Sequence, residues 1–461
     1  MLDHLVAPFA GAVPLSPVTE EGLADLLARL DEPQRRWVEA TRYVGEAGKF
    51  VLLPDAGGGL ARVLVGVKPG EELWSLSALP DALPPGVYAL DGAIAAGPAS
   101  RYALGWALGC YAFTRYRARD KAWADLVWPE AADRGWVERL ARGIALARDL
   151  INTPAEDMGP PELAAAAEEI AVRNGARFRV IVGDDLLTEN YPAIHAVGRA
   201  AAKAPRLIDF IWGKESAPKV TLVGKGVCFD TGGLDLKTAG GMRMMKKDMG
   251  GAATLLGLAS AIMEAKLPVR LRVMIPAVEN AVAGNAFRPL DIIKTRKGMT
   301  VEVGNTDAEG RLILCDALHE AAQENPALMI DMATLTGAAR TALGPDLPAL
   351  FVNDDTLAGD MLAAGTAEGD PMWRLPLWKP YRQMIMSPIA DINNVSESGF
   401  AGAITAALYL EAFVPAAVSW AHIDTYAWNQ KNRPGRPEGG EALALRALYR
   451  LIEERFGHGP R

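Results

Sequence analysis

Hydrophobic and polar positions follow two rhythms along the chain. Trp136, Leu140, Ile144, Ala147 and Ile151 recur at steps of four and three, which predicts an amphipathic helix ending at Asn152-Thr153-Pro154. Past a second helix start at Pro160-Pro161-Glu162-Leu163, short β-branched runs alternate with apolar helical stretches. Strands are predicted over 177–182, 207–212, 219–224, 269–275, 327–332, 349–352 and 417–423, with a helix over 251–265. Strands separated by helices of roughly 10 to 15 residues predict an α/β fold with a central, mostly parallel sheet flanked by helices. Ligands of such sheets bind outside the carboxyl ends of the strands, so polar clusters just past those ends are the first places to look for chemistry.

The first 129 residues read as a smaller α/β unit. A helix is predicted over 21–30, strands over 50–53, 62–65 and 86–90, and a helix over 102–119. Gly57-Gly58-Gly59 is read as a plain turn, because no Gly-Lys-Ser/Thr follows it as a phosphate loop requires. Nothing in this part groups acids, histidines or thiols at ligand spacing. The predicted organisation is an N-terminal α/β domain over 1–135, a linking helix over 136–152 and a catalytic domain over 153–461.

Composition narrows the function. The chain has 461 residues, half of them hydrophobic, and a formal charge of -8. Acidic balance argues against a nucleic-acid partner, which needs a basic face. No run reaches the roughly 18 apolar residues of a membrane span. The start, Met1-Leu2-Asp3-His4-Leu5, lacks the basic opening of a secretory signal. Cys110, Cys228 and Cys315 form no C-x-x-C pair, so a reducing, cytoplasmic setting is expected.

The densest chemistry lies in Asn305-Thr306-Asp307-Ala308-Glu309-Gly310-Arg311-Leu312, at a predicted strand-to-helix turn. Two acids two residues apart repel unless a positive group lies between them, and hard cations take oxygen ligands. A simpler reading is a helix start whose acids complement the dipole. The stretch from 219 to 251 favours the first reading. Lys225 and Asp230 leave a strand end, Lys237 follows, and Asp248 opens a helix. With Asp307 and Glu309 this makes four acids and two lysines without histidine, a set suited to two divalent cations about 3.5–4 Å apart. Gly224 to Gly233 does not keep G-x-G-x-x-G spacing, which argues against a dinucleotide turn. Lys246 and Lys247 are read as a solvated basic patch, Lys237 as part of the site.

The segments V-G-K-G-V-C-F-D-T-G-G-L-D-L-K (223–237), M-K-K-D-M-G-G-A-A (245–253), N-T-D-A-E-G-R-L (305–312) and A-T-L-T-G-A (333–338) resemble the leucyl aminopeptidase family, the cytosolic dinuclear-metal aminopeptidases. The likeness runs in order from about residue 150 to 430. It implies a hydrolase that removes the N-terminal residue of short peptides with a free N-terminus, two divalent ions per subunit (manganese or zinc) and a homohexamer. Lys225, Asp230, Asp248 and Glu309 would hold the tighter metal. Asp230, Asp307 with its carbonyl, and Glu309 would hold the other. Lys237 and Arg311 would be the catalytic pair, with a bicarbonate on Arg311 as proton shuttle. Met245, Thr334, Leu335 and Gly337 match positions that line the first side-chain pocket and hold the substrate backbone.

Some neighbours weigh less. His319-Glu320 fails as a zinc motif because position 323 is Gln, and His422 reads as a satisfied core histidine. After Asp424, Tyr426 and Asn429 stand where the family has small apolar residues, so altered side-chain selectivity is expected. Two alternatives share these residues: a two-metal phosphoesterase, which usually adds histidine, and a non-catalytic member of the same fold.

Overall fold

A computed structural model of the chain describes residues 1–457; residues 458–461, the end of the predicted catalytic domain, lie outside it. Two compact units form. The first comprises Met1–Ala145 with Lys431–Glu438, and the second Leu146–Gln430 with the chain from Gly439 onward. The chain passes between them inside the helix Arg134–Asn152, where Leu140, Ile144, Ala147 and Ile151 of the predicted stripe are buried. No helix among the described residues is long and apolar enough to cross a membrane. The three cysteines are free and buried.

The first unit is built on a six-stranded sheet in the order Leu5–Val6, Asp125–Val127, Val87–Leu90, Val13–Val18, Leu60–Gly66, Phe50–Pro54. All neighbours run parallel except Phe50–Pro54, which closes one edge antiparallel. Val13–Val18 was not predicted, because Pro14 and Pro17 weaken a strand signal. The predicted helix 102–119 instead spans Ala96–Gly109. Beyond Cys110 the tertiary contacts of the basic segment win: Arg119 pairs with Asp81 and stacks 4.2 Å over Trp123. In the triple-glycine turn, the amides of Gly57 and Gly59 donate to Asp55 Oδ1, each at 2.8 Å.

The second unit carries a sheet in the order Trp373–Arg374, Ala349–Val352, Trp420–Asp424, Leu328–Ala333, Lys219–Gly224, Arg270–Asn280, Arg206–Trp212, Arg177–Val182. Its centre is parallel: Lys219–Gly224 lies between Arg270–Asn280 and Leu328–Ala333, and Leu328–Ala333 pairs onward with Trp420–Asp424. The margins are antiparallel, at Arg206–Trp212, Arg177–Val182 and Ala349–Val352. Gly226–Asp230, which lies outside the predicted strands, is a further strand parallel to Arg270–Asn280.

The central strands are buried on both sides and mostly apolar, as strands covered on both faces are. Helices Gly250–Glu264 and Glu309–Ala322 both pack on Lys219–Gly224, Arg270–Asn280 and Leu328–Ala333. Gly251 permits the first of these approaches, since a Cβ there would stand 2.1 Å from the Met332 carbonyl oxygen. That contact brings the N-terminus of Gly250–Glu264, and Asp248 just before it, down onto the strand ends.

Candidate metal centre

Each predicted ligand enters the site at the end of an element. Lys225 follows the strand Lys219–Gly224, and Asp230 ends Gly226–Asp230. Asp248 lies in the 3-10 turn Met245–Met249 that leads into the next helix. Asp307 stands two residues before Glu309, the first residue of Glu309–Ala322. Asp230, Asp307 and Glu309 each offer an oxygen within 4.8 Å of the others. Lys225 Nζ ties Asp248 to this group, at 2.8 Å from Asp248 Oδ2 and 2.9 Å from Glu309 Oε1. Lys237 Nζ lies 2.9 Å from Asp230 Oδ2 and pairs also with Asp307.

The loop bearing the acids is latched by hydrogen bonds. Thr306 Oγ1 donates to the Gly232 carbonyl at 2.6 Å and accepts from the Asp235 amide at 2.9 Å, while Asp235 Oδ2 accepts from the Thr306 amide at 2.8 Å. Asn394, fully buried, accepts from the Gly304 amide at 2.8 Å and donates to the Asn305 carbonyl at 2.7 Å. Asn280 Nδ2 donates to Asp230 Oδ1 at 2.8 Å and to the Thr306 carbonyl at 3.1 Å. Thr334 Oγ1 donates to Asp248 Oδ1 at 2.7 Å. Sequence reasoning missed Asn280, Asn394 and Asp235. The one signal for Asn280 is its place at the end of a strand whose middle, 273–278, is apolar.

Charge in the cluster does not balance. Four carboxylates, three buried and Asp307 half-buried, face two ammonium groups. Burial and the nearby Asp230 push Glu309 well above the usual carboxylate range, and the same causes push Asp307 up to about 6. Burial also opposes the charge of Asp230, but Lys237 and Lys225 outweigh it and hold that carboxyl below its ordinary value. Burial disfavours the Lys225 ammonium, yet Asp248, Glu309 and Asp230 hold its pKa above the ordinary lysine value. Glu309 Oε2 makes no hydrogen bond, and Glu309 Oε1, Asp248 Oδ2 and Asp307 Oδ1 meet lysine nitrogens only as ion pairs outside hydrogen-bond geometry. Excess negative charge with unsatisfied oxygens fits divalent cations, which take carboxylate ligands.

These groups line a cleft of about 470 Å³. Met245, Thr334, Leu335 and Gly337 line it as well, as do Asp424, Tyr426 and Arg340. Arg311 is not among the lining residues; it is buried, with Nη1 donating to the Asn394 carbonyl at 2.6 Å and Nε without a partner. Asn429, expected beside Tyr426 at the pocket wall, is not part of the lining. Its strand Trp428–Asn429 pairs with Gly439–Gly440, and its Nδ2 donates to Glu441 at 3.3 Å.

Lys247 corrects the basic-patch reading. Residues of a 3-10 turn point about 120° apart. Lys246 reaches the Asn152 carbonyl at 2.6 Å, whereas Lys247 is buried in the cleft wall. Burial pushes the Lys247 ammonium down to about 8. His422 is a core residue, fully buried and 2.6 Å from Asp331 through Nδ1.

Fold and site together define a two-unit α/β protein whose strand ends carry a carboxylate-and-lysine centre of the kind that hydrolases use to hold cations. The chain belongs to the cytosol aminopeptidase family: the catalytic domain of that family matches residues 145–449, and the M17 aminopeptidase N-terminal domain matches residues 13–129. It is similar to the cytosol aminopeptidase of Coxiella burnetii, at 50% identity, covering 98% of this chain and 100% of that one with a TM-score of 0.95. The bottromycin maturation enzyme BotP, solved in complex with Mn, is similar at 33% identity, covering 97% of this chain and 100% of that one with a TM-score of 0.87. A probable cytosol aminopeptidase of Roseiflexus castenholzii is 44% identical over 320 residues, which cover 68% of this chain and 65% of that relative. The match therefore spans just under two thirds of the Roseiflexus protein.

Proposed function

We propose that the chain is a metal-dependent aminopeptidase that releases the N-terminal residue of short peptides. The observation that carries this reading is the excess of carboxylates over lysines, with Glu309 Oε2 unpartnered, at the strand ends of a chain of this family. On this reading Lys225, Asp230, Asp248 and Glu309 hold one divalent cation, and Asp230, Asp307 with its carbonyl, and Glu309 hold the second. Bound manganese or zinc would supply Lewis acidity and lower the pKa of water toward neutrality.

The chain's own groups do the rest. Lys225 would have to be neutral to serve as a ligand, because an amine binds metal only without its extra proton. Lys237, held protonated beside Asp230 and Asp307, donates to the oxyanion that forms as the peptide carbonyl is attacked. Asp248 faces the free α-amine of the substrate, which selects an unblocked N-terminus. Buried Arg311 keeps an unpartnered Nε for a small anion such as bicarbonate, which would carry the proton to the leaving amine. Cytoplasmic location and a homohexamer complete the proposal; a one-subunit mass by light scattering would refute the latter.

The test is hydrolysis of a leucyl anilide by protein loaded with Mn²⁺ or Zn²⁺, beside an aryl phosphate control. Turnover of the anilide alone supports the aminopeptidase. Turnover of the phosphate alone would make the site a phosphoesterase, and turnover of neither would leave a non-catalytic member of the family.

A further inference from the structure

The cleft carries four cationic side chains, and the carboxylate cluster accounts for two of them, Lys225 and Lys237. The other two, Lys247 and Arg340, converge on one ring. Lys247 Nζ lies 4.6 Å and Arg340 Cζ 5.0 Å from the centre of Tyr426, and all three residues line the cleft. Among the described residues, neither cation has an ion-pair partner. Asp424 lies in the same cleft but is fully engaged: Oδ1 accepts from the amides of Leu335 at 2.9 Å and Thr336 at 3.2 Å, and Oδ2 from the Thr336 hydroxyl at 2.6 Å. Asp248, beside Lys247 in sequence, is committed to Thr334 and Lys225.

A ring face attracts each cation, but two like charges over one ring repel each other. Lys247 is 5% exposed, and a buried ammonium without a carboxylate is costly. A cleft-bound anion that pairs with both cations relieves both penalties at once. The pair also borders the pocket expected to hold the substrate's first side chain. Arg340 Nη2 stands 3.9 Å from where a Cβ on Gly337 would be, and Met245 lies on the same turn as Lys247.

We propose that Lys247 and Arg340, both held against Tyr426, form a carboxylate subsite that selects peptides whose N-terminal residue is aspartate or glutamate. This deepens the aminopeptidase reading and rests on it. The C-terminal carboxylate of a very short peptide has the same chemistry, and the experiment separates the two sources.

Metal-loaded, full-length protein is assayed with glutamyl, glutaminyl, leucyl and lysyl anilides, and with leucyl-alanine as free acid and as amide. Glutamine matches glutamate in shape, so their ratio of kcat/KM isolates the charge. Hydrogen bonds to charged groups make that ratio about tenfold or more in favour of glutamyl in the parent. It falls toward unity in Lys247→Met and in Arg340→Gln, and Arg340→Glu shifts preference toward lysyl. Arg340 is exposed, so its variants keep the proposal testable if Lys247→Met does not fold. A parent without preference for glutamyl over glutaminyl, or a preference unchanged in the variants, overturns the proposal. So does a preference for free acid over amide that both variants abolish while the glutamyl ratio stays flat. Leucyl turnover without glutamyl preference defeats the subsite and leaves the aminopeptidase; no turnover of any substrate defeats both.

Discussion

Gly310 offers a way to disturb the centre without disturbing the fold. It is the second residue of the helix Glu309–Ala322 and lies against the tail of Lys225. In Gly310→Ala the new methyl would stand 2.6 Å from Lys225 Cε and 2.8 Å from both Cδ and Nζ. Carbon contacts settle near 3.5 Å or beyond, so the lysine tail must retreat by about 0.9 Å. Lys225 Nζ now sits 2.8 Å from Asp248, 2.9 Å from Glu309 and 2.9 Å from the Thr334 carbonyl. A retreat of that size lengthens these contacts by up to about 0.9 Å, enough to break the hydrogen bond to the Thr334 carbonyl and to weaken the two ion pairs. The helix itself does not lose, since alanine is favoured over glycine in helices, by up to about 1 kcal/mol in their interiors. The expected variant is folded, melts close to the parent temperature, and binds one of its two metal ions about 10- to 100-fold more weakly, the range seen when groups supporting a metal site are lost. Calorimetric titration of the metal-free protein with Mn²⁺ reads the affinity, and anilide turnover and a thermal melt are run alongside. If Gly310→Ala binds two ions with parental affinity and full turnover, Lys225 is not a ligand.

Three further outcomes are expected. Lys237→Met should keep both metals yet lose about 10²- to 10³-fold in kcat, the cost of removing one oxyanion donor; near-parental kcat would remove Lys237 from the mechanism. Metal affinity should rise with pH. The metal-free fold holds protons more tightly than usual on Lys225, Glu309 and Asp307, and binding must displace them, so log K should climb by at least about one unit per pH unit through neutrality; a flat plot would refute proton release by Lys225. Thr306→Val keeps the side-chain shape but leaves the Gly232 carbonyl and the Asp235 amide without Thr306 Oγ1, which should cost about 1–3 kcal/mol in urea unfolding; an unchanged midpoint would show that the latch is not needed.

Much of the site was legible along the chain because its ligands are charged groups set among apolar strand ends, where little else explains them. Lys225, Asp230, Asp248, Asp307 and Glu309 declare themselves by residue type, and the central strands by short runs rich in apolar residues. Fold features with mixed signals were not legible. Val13–Val18 hid behind its prolines, Gly226–Asp230 behind its glycine, and the helix 102–119 was displaced because Arg119 finds better partners in Asp81 and Trp123.

By itself, then, the order of residues determined the α/β architecture, the acid-and-lysine chemistry and the family. Only the tertiary structure decided where the remaining polar groups point. It turned Lys247 inward and Asn429 away from the cleft, and it brought Arg340 and Tyr426, 86 positions apart, to the same place. The physical reason is that local sequence sets which surface an element buries, while the direction of one side chain at an element's end depends on packing partners distant in the chain.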